Sequence, residues 1–189
     1  EMANLSADAR QGMHSDLGQM DAIIGQFLDY AKPTEATNFA PVDLTALLTD
    51  AGREAARLPD VRVKTDIADR IEVVGNATEL RRVVANLIEN ARRYGTSGDT
   101  GIVNVDIQCR RESHQAIIEI ADHGCGIPEA DIERLLRPFT RLDSARGQAN
   151  GAGLGLAIVD RIIKKHHGTL KLENRPGGGL LIRISIHNM

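Results

Sequence analysis

Apolar residues recur at helical spacing near the start of the chain. Leu5, Ala9, Met13, Leu17, Met20, Ile24, Phe27 and Ala31 follow one another at intervals of three or four, which draws a stripe along one face of a helix over residues 4–31. Ile23 and Tyr30 widen the stripe. Such a face is either an ordinary core-facing surface or one side of a helical bundle or dimer. Its position ahead of the globular part, ending at Lys32-Pro33, favours the bundle. Gly12, Gly18 and Gly25 each cost roughly 1 kcal/mol against Ala in a helix interior, so this helix is not expected to stand alone.

The pattern then changes. Residues 33–41, polar and bounded by Pro33 and Pro41, predict a linker. Asp43 is placed to cap a helix over 44–56. Alternation predicts a strand over 61–67 and a short one over 71–74. Thr78 is the expected cap of the next helix, whose buried face is Leu80, Val83, Val84, Leu87, Ile88 and Ala91. Residues 102–109 and 116–121 predict a hairpin with a polar connection over 110–114. A short helix over 129–136 and an apolar helix over 154–166 follow. Strands over 169–173 and 181–186, joined through Pro176-Gly-Gly-Gly179, close the chain. Helices on one face of a mixed sheet give an α+β fold, a two-layer sandwich preceded by the long helix. The expected division is 1–32 helix, 33–41 linker and 42–189 globular domain.

Composition narrows the function. The 189 residues are 42% hydrophobic but only 3% aromatic, with no Trp, so the core must be aliphatic. A net charge of −3 and no dense basic block argue against nucleic-acid binding. No apolar run approaches membrane-spanning length and no leader pattern is visible, so this segment is expected to make no direct membrane contact. Cys109 and Cys125 are too few for a disulfide framework or a four-thiolate zinc site, and a reducing, cytoplasmic setting fits them.

Three segments carry chemistry: Asn86-Leu-Ile-Glu-Asn90-Ala-Arg-Arg-Tyr94, Asp122-His-Gly124-Cys-Gly126-Ile127 and Gly151-Ala-Gly153-Leu-Gly155-Leu156. The first puts two carboxamides one helical turn apart on one face. The second is an acidic glycine turn, and the third a glycine loop opening a helix. Glycines allow close backbone approach and positive φ, a helix N-terminus receives anionic phosphate, and amide oxygens are hard ligands suited to Mg²⁺. A nucleotide needs that combination.

In this order the segments resemble the ATP-binding fold shared by gyrase, heat-shock chaperone ATPases, mismatch-repair ATPases and histidine kinases. Within that group the chain is similar to the sensor histidine kinases of two-component systems, EnvZ-like in the run Arg137-Pro-Phe139-Thr-Arg141-Leu-Asp-Ser-Ala-Arg146. Residues 22–30 resemble the end of the second helix of such a kinase's dimerisation hairpin. The resemblance implies ATP and Mg²⁺ as cofactors, with Asn90 on the metal and Asn86 positioning phosphate or a general base, although both amides could instead cap neighbouring loops. Asp122 would accept from the adenine amine, or serve only as a turn residue for Gly124. Tyr94 would stack on adenine or belong to the core, and Ile127 would form an apolar wall. Arg93 and Arg141 fit phosphate contacts and surface ion pairs about equally. Residues 139–151 would be a lid, its near end pinned by Phe139, with Gly151, Gly153, Leu154, Gly155 and Leu156 bringing backbone past the phosphates.

Departures from the family pattern are His123, Cys125 and Ala152, where a second Asp, a Pro and a hydroxyl residue are common. Cys125 is either a ligand-facing thiol or a packing residue. The phosphoacceptor histidine of the first dimerisation helix is not among these residues, since His14 lies outside that context, so the chain is expected to be a fragment that does not phosphorylate itself. The implied activity is transfer of the ATP γ-phosphate to a histidine and onward to a response-regulator aspartate, by a homodimer formed through residues 4–31, in a cytoplasmic portion of a membrane-anchored parent. Two other readings stand beside it: a hydrolytic ATPase of the gyrase or chaperone type, or a non-catalytic nucleotide-binding fragment. Asn86 occupies the place where the hydrolytic enzymes carry their general-base Glu, which argues against the first of these.

Overall fold

The computed structural model describes residues 38–96, 101–141 and 152–188, together with Met20, Ile24, Gly25 and Phe27. The elements are β1 (Ala40–Asp43), α1 (Leu44–Ala55), β2 (Val61–Ile67), β3 (Glu72–Gly75), α2 (Ala77–Tyr94), β4 (Val103–Glu112), β5 (Gln115–Asp122), α3 (Glu129–Leu135), α4 (Gly155–Lys165), β6 (Thr169–Asn174) and β7 (Leu180–His187). Five strands form one sheet in the order β2-β4-β5-β7-β6, and β1 pairs with β3 in a separate two-stranded ribbon. The β2–β4 pair is parallel and the others are antiparallel, so the sheet is mixed, as expected.

Strand alternation decides which face is buried. Val103, Val105, Ile107 and Cys109 on β4 and Leu180, Ile182, Ile184 and Ile186 on β7 all turn inward. They join one core with Leu44, Leu47 and Leu48 of α1, Leu80, Val84 and Leu87 of α2, and Ile158, Val159 and Ile162 of α4. All six residues expected on the inner face of α2 are buried. Each such aliphatic side chain contributes about 1.5–3 kcal/mol by leaving water, which is how a core almost without aromatics holds two layers together. The opposite face of the sheet is mostly polar, with Ile117 and Ala121 of β5 as buried exceptions. Its central residue Glu119 is nonetheless buried, because Arg110 of β4 and Arg183 of β7 close over it from both sides.

Asp43 caps α1, accepting from the Ala46 amide at 2.8 Å. Four local expectations are corrected. The cap of α2 is Asn76, which accepts from the Glu79 amide at 3.0 Å, rather than Thr78, which lies inside the first turn. Ala40 and Pro41, expected in the linker, are strand residues paired with Gly75 and Val74; a two-stranded ribbon has edges enough to tolerate a proline. The β4–β5 strands extend to a connection of two residues, Ser113 and His114, because Arg110, Arg111 and Glu112 pair across the ladder despite their polarity. The last helix starts at Gly155, one residue later than expected.

The proposed helix over 4–31 lies outside the described residues except for Met20, Ile24, Gly25 and Phe27. These four are helical and exposed. Among the described residues no helix is long and apolar enough to cross a membrane.

Candidate functional site

The three segments converge at one end of the sandwich. α2 runs beneath the site and ends at Tyr94, half-exposed at its rim. The chain then turns at Gly95, where a β-carbon would stand 2.7 Å from Cβ of Asp122. Gly124 is equally confined: a β-carbon there would lie 2.6 Å from the Tyr94 carbonyl oxygen and 2.8 Å from the α-carbon of Gly95. Two glycines facing each other let the end of α2 and the turn after β5 lie backbone to backbone.

Asp122 sits at the last position of β5 and is 9% exposed. Its Oδ1 accepts two backbone bonds, from Gly124 at 2.9 Å and from Leu180 at 3.2 Å. Among the described residues Oδ2 accepts none, so one carboxylate oxygen is fixed by the fold and the other stays available beside the cavity. That cavity, about 100 Å³, has apolar walls from Leu87, Ala91, Ile120, Ile127, Leu156 and Ile182 and polar groups from Asn90, Asp122, Thr140 and Arg141. A flat heterocycle with one amine edge suits this lining: apolar faces against the walls, the amine on Asp122.

The far side of the cavity is the N-terminus of α4. Gly153 (φ +68°) packs against the Phe139–Thr140 backbone. No side chain caps α4, in contrast to α1 and α2, and no acidic residue occupies its first turn. Its opening amides are therefore left for an anion, which the helix dipole favours. A β-carbon on Gly155 would stand 3.2 Å from Asn90 Oδ1 and 3.6 Å from Asn86 Oδ1, so both carboxamides meet this helix start. Asn86 Nδ2 donates to the Arg82 carbonyl at 3.0 Å, which fixes its amide orientation. Asn90 Nδ2 is buried with no hydrogen-bond partner among the described residues. A buried amide donor left unmatched beside an uncapped helix start is one that a phosphate oxygen would satisfy. Among the described residues no cluster of three or more His, Cys, Asp or Glu could hold a metal ion alone, and a hard cation here would draw its remaining ligands from phosphate and water.

Residues 75–188 match the family model described as histidine kinase-, DNA gyrase B-, and HSP90-like ATPase. The chain belongs to this ATPase family. The chain is similar to the sensor-like histidine kinase SenX3 of Mycobacterium tuberculosis, at 33% identity over 90% of this chain and 42% of that protein. The sensor protein BasS of Escherichia coli is 34% identical over 84% of this chain and 44% of BasS. The solved kinase domain of the E. coli osmosensor EnvZ is 33% identical with a TM-score of 0.60, covering 82% of this chain and 92% of that one. The chain thus spans less than half the length of the curated relatives it matches.

Within this ATPase domain the expected residues separate into groups. Asn90, Tyr94, Asp122, Gly126, Ile127, Arg141, Gly153, Gly155 and Leu156 line the cavity. Asn86 and Gly124 do not line it. Arg93 pairs with Glu89 at 2.7 Å and does not line it. Leu154 is fully buried in the core and acts by anchoring the loop that carries Gly153 and Gly155. Phe139, expected to pin the near end of the lid, is 62% exposed with φ +61°; it is a strained surface residue and not a wall of the cavity. Gly151 and residues 142–150, the greater part of the expected lid, lie outside the described residues.

The sequence reading missed Asn174 and Arg175. Asn174 Oδ1 accepts from the Ile127 amide at 2.8 Å, and Nδ2 donates to the Ile127 carbonyl at 2.6 Å. Arg175 donates to the Asp122 carbonyl at 2.8 Å and pairs with Asp106 at 3.4 Å. Asp106 in turn bonds the His123 ring at 2.9 Å. The only local hint was their place at the end of a strand, just before the Pro-Gly-Gly-Gly turn.

Proposed function

We propose that this chain is the ATP-binding catalytic portion of a two-component sensor histidine kinase. The observation that carries the reading is the pairing of Asp122, one oxygen fixed and one available at an apolar cavity, with an uncapped α4 N-terminus facing Asn90. Adenine would enter the cavity with its exocyclic amine on Asp122 Oδ2. Tyr94 and Ile127 would bound the ring. The phosphates would follow the α4 amides, and Mg²⁺ held by Asn90 would neutralise part of their charge.

The chemistry asked of these residues is positioning and charge stabilisation. As an imidazole nitrogen bonds to the γ-phosphorus, the bond from that phosphorus to the bridging oxygen breaks, and ADP departs with the electron pair. Asn86 and the α4 amides hold the phosphates while this happens. The phosphorylated histidine then serves a receiver-domain aspartate. We further propose a homodimer through residues 4–31 and a cytoplasmic location within a membrane-anchored parent, in keeping with the sensor kinases among the relatives.

Calorimetry with Mg²⁺–ADP tests the site, with one nucleotide per chain expected. Supplying the chain with ATP and an acceptor-bearing helix hairpin tests the activity. Acid-labile, base-stable phosphate on the hairpin is expected. Rapid release of inorganic phosphate without any acceptor would favour a hydrolytic ATPase instead.

A further inference from the structure

We propose that Asn174 and Arg175 are positioning residues for the nucleotide: they hold both ends of the turn over residues 122–127, so that Asp122 Oδ2 presents itself to the base. The proposal rests on the nucleotide reading of the site.

The turn leaves β5 at Asp122 and must hold a fixed path past the cavity through two glycines, one of them at φ +73° (Gly126). Such a stretch has little side-chain packing of its own. Its conformation is set from outside, by the end of β6. Arg175 takes the first end, with one guanidinium nitrogen on the Asp122 carbonyl and the other beside Asp106. Through Asp106 the same arginine is tied to the side chain of His123. Asn174 takes the second end and bonds both backbone groups of Ile127, much as a neighbouring strand would. A β-carbon on Gly126 would stand 2.6 Å from Asn174 Oδ1, so the turn and the carboxamide are fitted to each other.

The backbone of the same hairpin completes the brace. The Arg175 amide donates to the Gly179 carbonyl at 2.9 Å, and the Gly178 amide to the Arg175 carbonyl at 3.1 Å. This closes the turn tightly enough for Gly179 (φ +94°) to lie against the Asp122 backbone. The next residue, Leu180, is then in place to hold Asp122 Oδ1. Asp122 is therefore oriented by groups roughly fifty residues further along the chain. None of those groups needs to touch a nucleotide.

A purely structural role and a positioning role differ in what they move. Asn174 is exposed, and an exposed bond exchanged for water contributes little to folding. Loss of it should leave the melting temperature nearly unchanged while loosening the turn. A loosened Asp122 weakens adenine, whose amine it must meet, more than guanine, which presents an oxygen there. The experiment measures ADP and GDP affinity by competition in the presence of Mg²⁺, with melting temperature alongside. It uses the full chain and its Asn174→Ala, Asn174→Asp and Arg175→Ala variants.

ADP affinity should fall about three- to tenfold in each Ala variant, with GDP affinity unchanged. Asn174→Asp retains the acceptor for the Ile127 amide and should recover part of the loss. Unchanged ADP affinity, or equal loss for both nucleotides together with a collapsed melting temperature, would overturn the positioning role alone. A wild-type chain that binds no ADP would overturn the nucleotide reading and this proposal with it.

Discussion

A β-carbon on Gly155 would stand 3.2 Å from Asn90 Oδ1: the start of α4 and the carboxamide of α2 leave between them only the space that a missing side chain provides. Gly155 is helical without a positive φ, so Gly155→Ala strains no backbone, and the better helix propensity of Ala works against the cost of displacing the Asn90 amide. The variant should melt no lower than the parent. Its Mg²⁺–ADP affinity should drop about tenfold, equivalent to ~1.4 kcal/mol, because the Asn90 amide is pushed aside. Calorimetry and thermal melting on the same preparation check both halves. Wild-type affinity would mean that the phosphates do not pass between Gly155 and Asn90.

Of the two cysteines, Cys125 reports on the cavity and Cys109 serves as an internal control. Cys109 is buried on β4, and burial pushes its thiol up to about 12; it should stay unmodified in the folded chain. Cys125 is exposed and lines the cavity. Iodoacetamide followed by peptide mass spectrometry should alkylate Cys125 alone, and saturating Mg²⁺–ADP should slow that alkylation severalfold. Equal rates with and without nucleotide would place the ligand elsewhere.

Glu119 is the electrostatic hinge of the outer sheet face. Its hydrogen bond from Arg110, and secondarily that from Arg183, hold its carboxyl below the usual carboxylate value. Both arginines are more than a third exposed. Glu119→Ala should therefore cost about 1–2 kcal/mol, less than the 3–5 kcal/mol of breaking a fully buried pair. A depressed carboxylate contributes stability that is present above its unfolded value and lost as pH falls through the folded one. Urea unfolding should show the gap between variant and parent at pH 7 and its narrowing below about pH 4.5.

His166 acts in the same sense, but in a higher pH window. It is buried, its Nε2 accepts from the Asn76 amide at 3.0 Å, and its Nδ1 donates to the Ile162 carbonyl at 2.8 Å. Desolvation lowers its affinity for a proton, against the hydrogen bond to the Ile162 carbonyl and, less, the attraction of Glu79. The unfolded chain accepts a proton near pH 6.5, which the folded chain resists. Stability should be full above that value and fall as pH drops below it. His166→Gln should melt lower at pH 8 but lose less between pH 8 and pH 5.5 than the parent does. Parallel curves for the two proteins would remove His166 from the acid response.

What could be read in advance follows from the range of the forces involved. The inner face of α2, from Leu80 to Ala91, was legible because helix periodicity is local and all six apolar positions obey it. Asn90, Asp122 and Gly155 were legible because each lies in a short segment whose residue types serve one chemistry. Ala40–Asp43 was not, since Pro41 signals a break unless its partner Val74 is known. The true extent of the β4–β5 hairpin was hidden because Arg110 and Glu112 look like turn residues until their ladder partners Ile117 and Gln115 are known. Asn174 and Arg175 were invisible for the same reason: their partners are 47 and 53 residues away.

Asp122→Asn tests the central claim most directly. An asparagine can keep its oxygen where Asp122 Oδ1 accepts from Gly124 and Leu180, so the fold should survive with its melting temperature within a few degrees. The amide nitrogen then takes the place of Oδ2 and sets a donor against the adenine amine. A lost bond and an unpaired donor cost about 2–3 kcal/mol together, or roughly 30- to 150-fold in affinity. Calorimetric titration with Mg²⁺–ADP should show that loss in a folded protein. Unchanged affinity in the variant would contradict the assignment of Asp122 to the base and, with it, the orientation of nucleotide on which the account stands.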